Sequence, residues 1–173
     1  MSEEINENLA EIEEENFNNA FENEEENPTY NTDEKNENLQ THNKIRSNLC
    51  GNIVKLEPSY SKTTLQTTKE MAVDDLGLVH SGFVFGAADY AAAVAVNEPN
   101  IVVIGSRSKF LAPAKVDDLI EFVAYAKFED SRKREIKVTG HINDIKVYEG
   151  LFNAVVLDQH IFKTKIKNAG RNY

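Results

Sequence analysis

The sequence predicts an α+β fold, an antiparallel β-sheet curled around one central apolar α-helix. Three observations predict it. Val79 to Val96 reads VHSGFVFGAADYAAAVAV, apolar or very small at nearly every position between His80 and Asn97. Nearly all of the chain after it consists of alternating stretches parted by short turns, the pattern of strands that pair with their neighbours. The first 45 residues are Glu- and Asn-rich, too polar to bury surface that would offset chain entropy. The expected organisation is a disordered acidic segment over residues 1–45, a folded domain over 46–160 and a basic tail over 161–173.

A helix apolar on all sides is a buried helix. Gly86, Ala87, Ala88, Ala91, Ala92 and Ala93 keep its bulk low, so a sheet can close around its backbone without large voids. Ser81 is a candidate N-cap, and Asn97 with Pro99 behind it is a stop signal. Asp89 is the anomaly. A carboxylate inside such an element is costly unless it is paired, hydrogen-bonded, protonated or open to a wet cleft.

Ahead of the helix, Gly51 to Leu56 (GNIVKL) and the β-branched stretch Thr63 to Thr68 are short strand candidates, separated by the Glu57-Pro58 break. Lys69 to Leu78 is a polar loop punctuated by Gly77. After the helix, Ile101 to Phe110, Leu119 to Phe128, Arg134 to Ile142 and Ile145 to Leu157 read as strands, the last two joined by a turn at Asn143-Asp144.

Charge is unevenly spread. Residues 1–45 hold fourteen Asp and Glu against Lys35 and Lys44, a net of −12 beside −10 for the whole chain, which leaves residues 46–173 at +2. The acidic head reads either as a solubilising tail or as a tether that engages a protein partner. Its repulsion argues against nucleic acid and anionic membranes. Cys50 is the single cysteine, so an internal disulfide is excluded. No stretch has the length of a membrane span and no signal peptide is evident, so a cytoplasmic, reducing location is expected. His42, His80, His141 and His160 show no metal-ligand spacing, and neither a phosphate-binding glycine loop nor a serine nucleophile elbow is present, so no metal and no bound cofactor are expected.

From His80-Ser81-Gly82 to Asp89 the sequence resembles the hot-dog fold acyl-CoA thioesterases of the phenylacetate-pathway type. In these a histidine and glycines precede a carboxylate nine positions along the central helix. His80, Gly82, Phe85 and Asp89 fall on that spacing, and Phe110 to Lys115 (FLAPAK) is similar to the family's strand-end segment. GNIVKL, TKEM and AVAV are also similar to the malonyl-CoA-binding domain of the bacterial repressor of fatty-acid synthesis. That domain carries Asn and Arg where this chain has Asp89 and His80. Taken whole, the chain resembles a small hot-dog family co-regulated with flagellar genes in motile, host-associated bacteria, which implies a link to virulence.

The resemblance implies a homodimer, or a dimer of dimers, that binds acyl-CoA as ligand or substrate. Asp89 would be the base or nucleophile, and His80 would hold the thioester or assist proton transfer. An amide of Ser81 or Gly82 would polarise the carbonyl, aided by the helix dipole, with Phe85 and Val103 in the substrate site. Two departures point the other way. Asp74 stands where relatives carry Asn and Val103 where they carry Ser or Thr, so binding without turnover is the alternative, a non-catalytic acyl-CoA sensor or interaction protein. A carboxylate paired across a subunit interface is the other reading of Asp89, and a loop histidine bonded to backbone that of His80. Arg107 and Lys109 read either as solvated strand residues or as contacts for coenzyme A phosphates.

Overall fold

The computed structural model describes residues 38–128 and 132–163; the acidic stretch before residue 38 and the tail after residue 163 lie outside them. In chain order these residues form a helical turn α1 (Ser47–Cys50), strands β1 (Asn52–Glu57) and β2 (Tyr60–Gln66), helix α2 (Ser81–Val96), and strands β3 (Ile101–Phe110), β4 (Leu119–Phe128), β5 (Lys133–Ile142) and β6 (Ile145–Val156). Short 3₁₀ turns occupy Lys69–Met71 and Ile161–Lys163.

The six strands make one sheet in the order β1-β2-β4-β5-β6-β3, antiparallel throughout. Short loops explain most of that order. Pro58 and Ser59 alone separate the paired ends Glu57 and Tyr60, and Ser59 sits at φ 63, so β2 begins three residues before the β-branched run that marked it. Asn143, at φ 50, turns β5 into β6. β3 has no such constraint. Leaving α2, it crosses to the far edge and pairs with β6, so within the described chain its other side carries no strand.

The expected helix-in-sheet arrangement is what forms. The inner face presents Leu65 of β2, Phe122 of β4, Ile136 and Val138 of β5, and Tyr148 and Phe152 of β6, all fully buried. Against them α2 sets Ala87, Ala88, Ala91, Ala92 and Ala95, small enough for strand and helix backbones to approach closely. Ser61, buried on β2, donates its hydroxyl to the Ala91 carbonyl at 2.8 Å, tying sheet to helix at mid-length. Gly51, just before β1, cannot be replaced cheaply: it sits at φ 98, and a Cβ there would stand 2.5 Å from the Thr64 carbonyl oxygen.

The described chain also reaches eight residues ahead of Arg46, where composition placed the start of the folded part. Residues 38–45 lie along α2 as a strap. The Asn97 side chain, at the left-handed C-cap of α2, accepts from the Gln40 amide at 2.8 Å and donates to the Asn38 carbonyl at 3.0 Å. Thr41 is buried and the His42 ring leans on Tyr90, their centroids 6.2 Å apart.

Candidate functional site

The start of α2 is built by one histidine. His80, not Ser81, is the N-cap: its backbone is extended (φ −63, ψ 127) and its Nδ1 accepts the Gly82 amide proton at 2.8 Å. A side-chain acceptor at this position satisfies one of the helix's orphan donors, a task usually given to Ser, Thr, Asp or Asn. Glycine at 82 is what lets the ring fold back. A Cβ there would lie 2.7 Å from that nitrogen. The Gly82 amide is therefore spent on the cap and the Phe83 amide on the His80 carbonyl, at 3.0 Å. That leaves Ser81 as the residue whose N–H has no partner among the described residues, so of the two amides considered for the carbonyl oxygen it is the open one.

Ser81 and His80 border a cavity of about 430 Å³ whose remaining lining is apolar, including Val73, Val84, Phe110, Leu111 and Val147. Leu111 to Ala114, the stretch that follows β3, forms one wall. Asp74 does not take part: its Oδ1 accepts the amides of Leu76 (3.0 Å) and Leu78 (3.1 Å) and shapes the loop.

Asp89 stands on a different side of α2. Gly82, Phe85, Gly86 and Asp89 recur at three- and four-residue spacing and share one face, and that face is where the otherwise buried helix opens. A Cβ at Gly86 would meet nothing within 4 Å. Facing this opening is the inner side of β3. A bulge between Val103 and Gly105 turns Ile104 outward, 61% exposed, and shifts the alternation, so that Val103 points inward against the core and beyond the bulge Ser106 and Ser108 point inward. Ser108 Oγ bonds the buried Tyr148 hydroxyl at 2.7 Å. Hydroxyls on that face thus come three and five residues after Val103, an offset hidden in the sequence because the bulge reverses parity.

Among the described residues no hydrogen bond or ion pair holds the half-buried Asp89 carboxylate. Burial raises its pKa above the ordinary carboxylate value, and His42 on the strap opposes the rise. His42 answers in kind: burial lowers its pKa, while the Asp89 charge raises it. The same charge, after burial, pushes the Cys50 thiol up, and it also reaches Tyr148, where burial is the larger cause.

The structure brings Phe85, Gly82 and Asp89 to one face and His80 with Ser81 to one cavity, but not all five to one place. Nine positions along an α-helix advance about 13 Å and end about half a turn away, so His80 and Asp89 of one chain look to opposite sides. Arg107 and Lys109 are on the outer face of β3, paired with Leu151 and Glu149 over a cleft of about 520 Å³, and turn away from Asp89. His42 was missed because its surroundings in the sequence read as acidic head.

No family model matches the sequence. A sigma28-regulated virulence protein of Campylobacter jejuni, Cj0977, is 41% identical over 72% of this chain and 89% of its own, with a TM-score of 0.70. An uncharacterized Pyrococcus horikoshii protein, PH1136, is 36% identical over 71% of this chain and 95% of its own, also at 0.70. Methylthioribose-1-phosphate isomerase of Aquifex aeolicus is 42% identical over 119 residues, 69% of this chain, and the chain spans 26% of that relative's length. More distant structures share the fold: a Streptococcus mutans protein bound to acetyl-CoA, at 17% identity and a TM-score of 0.60, and the phenylacetic acid degradation protein PaaI of Thermus thermophilus, as its N33D mutant, at 21% and 0.58. With its sheet wrapped around α2 and with these relatives, the chain belongs to the hot-dog fold family that includes the Campylobacter virulence protein.

Proposed function

We propose that this protein binds acyl-CoA thioesters and that Asp89 faces the thioester. The observation that carries the reading is the carboxylate itself, half-buried and unpartnered among the described residues, on the open face of an otherwise buried helix. Such a group is kept where it does chemistry or contacts a ligand. The fold supports the ligand class, since a distant hot-dog protein carries acetyl-CoA. At that identity the likeness itself speaks for the fold alone.

Hydrolysis needs a base and a donor at one carbonyl. In a single chain Asp89 and the open Ser81 amide lie on different sides of α2, so the reactive centre is completed by a second copy, whose Ser81 and His80 meet the Asp89 of the first. The unpaired edge of β3, with exposed Ile104 and Phe110, is the surface through which two copies would join. Asp89 would take the proton of a water attacking the carbonyl carbon, and the Ser81 amide would hold the oxyanion.

A second reading has its own support. Asp74 is consumed by its loop and Val103 is apolar, so neither supplies the polar help that the resemblance to thioesterases implies at these positions. A sensor that binds acyl-CoA without turnover would use the same groove. Thiol release and direct binding, measured with short, medium and long acyl-CoAs on wild type and Asp89→Asn, separate the two. Release abolished in the variant with binding retained supports the enzyme, binding without release in both supports the sensor, and no binding in either sinks both.

A further inference from the structure

The cavity at the start of α2 offers a ligand almost nothing polar beyond its mouth. Apart from His80 and Ser81, none of its lining side chains carries a polar atom. Amides of its walls are spent on the protein itself. Val73 donates to the Leu78 carbonyl at 2.8 Å, Val79 to that of Ala114 at 2.9 Å, Leu111 to that of Val147 at 2.8 Å, and Leu78 to the Asp74 carboxylate at 3.1 Å. We propose that this cavity takes the hydrocarbon chain of the acyl group and selects unsubstituted aliphatic thioesters over those whose chain ends in a carboxylate. The inference deepens the acyl-CoA reading and rests on it.

The path of the chain follows from the helix. Ser81, with its open amide, stands at the border of the cavity, so a carbonyl oxygen held there sets the acyl carbons against apolar walls. Val84 lies three residues further along α2, on the same side of the helix as Ser81, and leads inward. With Val79, Ala114 and Val147 it makes a floor, none of the four more than 5% exposed. The rim is the opposite. Val73, Leu78 and Leu111 are at least 40% exposed, large apolar side chains left in water around one opening. Clustered apolar surface of this kind marks a binding groove, and an alkyl chain laid between them removes it from water.

The same lining decides against polar chains. A terminal carboxylate carried past Ser81 loses its hydration and meets no lysine or arginine among the lining residues. The wall amides that could replace that water are already bonded.

The test is calorimetric binding of non-hydrolysable 2-oxoalkyl thioethers of CoA, which keep a carbonyl, to the full chain. The series runs from a methyl ketone through a hexyl chain, with a second hexyl analogue that ends in a carboxylate. Affinity is expected to rise about fourfold for each added methylene. The carboxylated analogue is expected to lose that gain. Leu111→Glu puts a charge on the half-exposed wall, where the fold tolerates it, and is expected to flatten the rise with length. Equal affinity at every length, a carboxylated analogue that binds as tightly as the plain one, or an unaltered rise in Leu111→Glu overturns the proposal. Length-independent binding would leave the acyl-CoA reading standing without the cavity, whereas binding at no length would sink that reading and the cavity proposal together.

Discussion

His80 Nδ1 accepts the Gly82 amide proton at 2.8 Å, and this bond decides which amide at the start of α2 remains open. A Cβ on residue 82 would meet that ring at 2.7 Å. Gly82→Ala is therefore expected to drive the imidazole off and lose the cap, at about 1–2 kcal/mol of stability. Urea unfolding measures it, and a midpoint equal to wild type would show that the cap does not hold the helix.

The same geometry makes Ser81→Pro a clean probe of the carbonyl-binding donor. Proline is favoured at the first helical position, and the extended His80 backbone is the conformation it requires of its predecessor. The helix should form as before while the open N–H disappears. If Ser81 holds the oxyanion, thioester turnover falls about 10²–10³-fold with Tm unchanged. Undiminished turnover would remove Ser81 from the mechanism.

Asp89 should cost the fold stability at neutral pH. Its pKa is raised by burial, so between the unfolded carboxylate value and the raised one the folded state holds more protons, and stability falls as pH rises through that window. Asp89→Asn is expected to have a higher Tm than wild type at pH 7. The difference should vanish below about pH 4, where the carboxyl is protonated in both states. Thermal melts across pH test both signs, and a destabilised variant at pH 7 would mean that the carboxylate is paired after all.

Thr63 is fully buried on the inner face of β2, and among the described residues its Oγ1 has no hydrogen-bond partner. Replacing an unsatisfied hydroxyl by a methyl of the same shape removes a desolvation penalty. Thr63→Val is expected to gain about 1 kcal/mol in urea unfolding. A loss of that size would mean that the hydroxyl has a partner in solution.

The architecture was legible because two periodicities carry it. The apolar run around Ala91 and the alternation of β3 to β6 each point to one element, and the positions of Gly82, Phe85 and Asp89 on one helix face follow from spacing. What stayed hidden depends on single residues behaving against type. Histidine is an uncommon N-cap, so Ser81 looked the better candidate. A bulge leaves little trace in composition, so the inward turn of Ser106 and Ser108 was not readable beside Val103. The strap is polar nearly throughout, and what fixes it is Asn97, fifty-seven residues from Gln40. Hydrophobic patterning cannot report an anchor made of two hydrogen bonds.

The most direct measurement of the central claim is the ¹³C resonance of the Asp89 carboxyl, assigned through Asp89→Asn, as a non-hydrolysable acyl-CoA thioether is titrated into the protein. Saturable movement of that resonance is expected, while Asp74, bound into its loop, stays in place. If the ligand binds to saturation and the Asp89 signal does not move, the carboxylate does not face the thioester and the account is wrong.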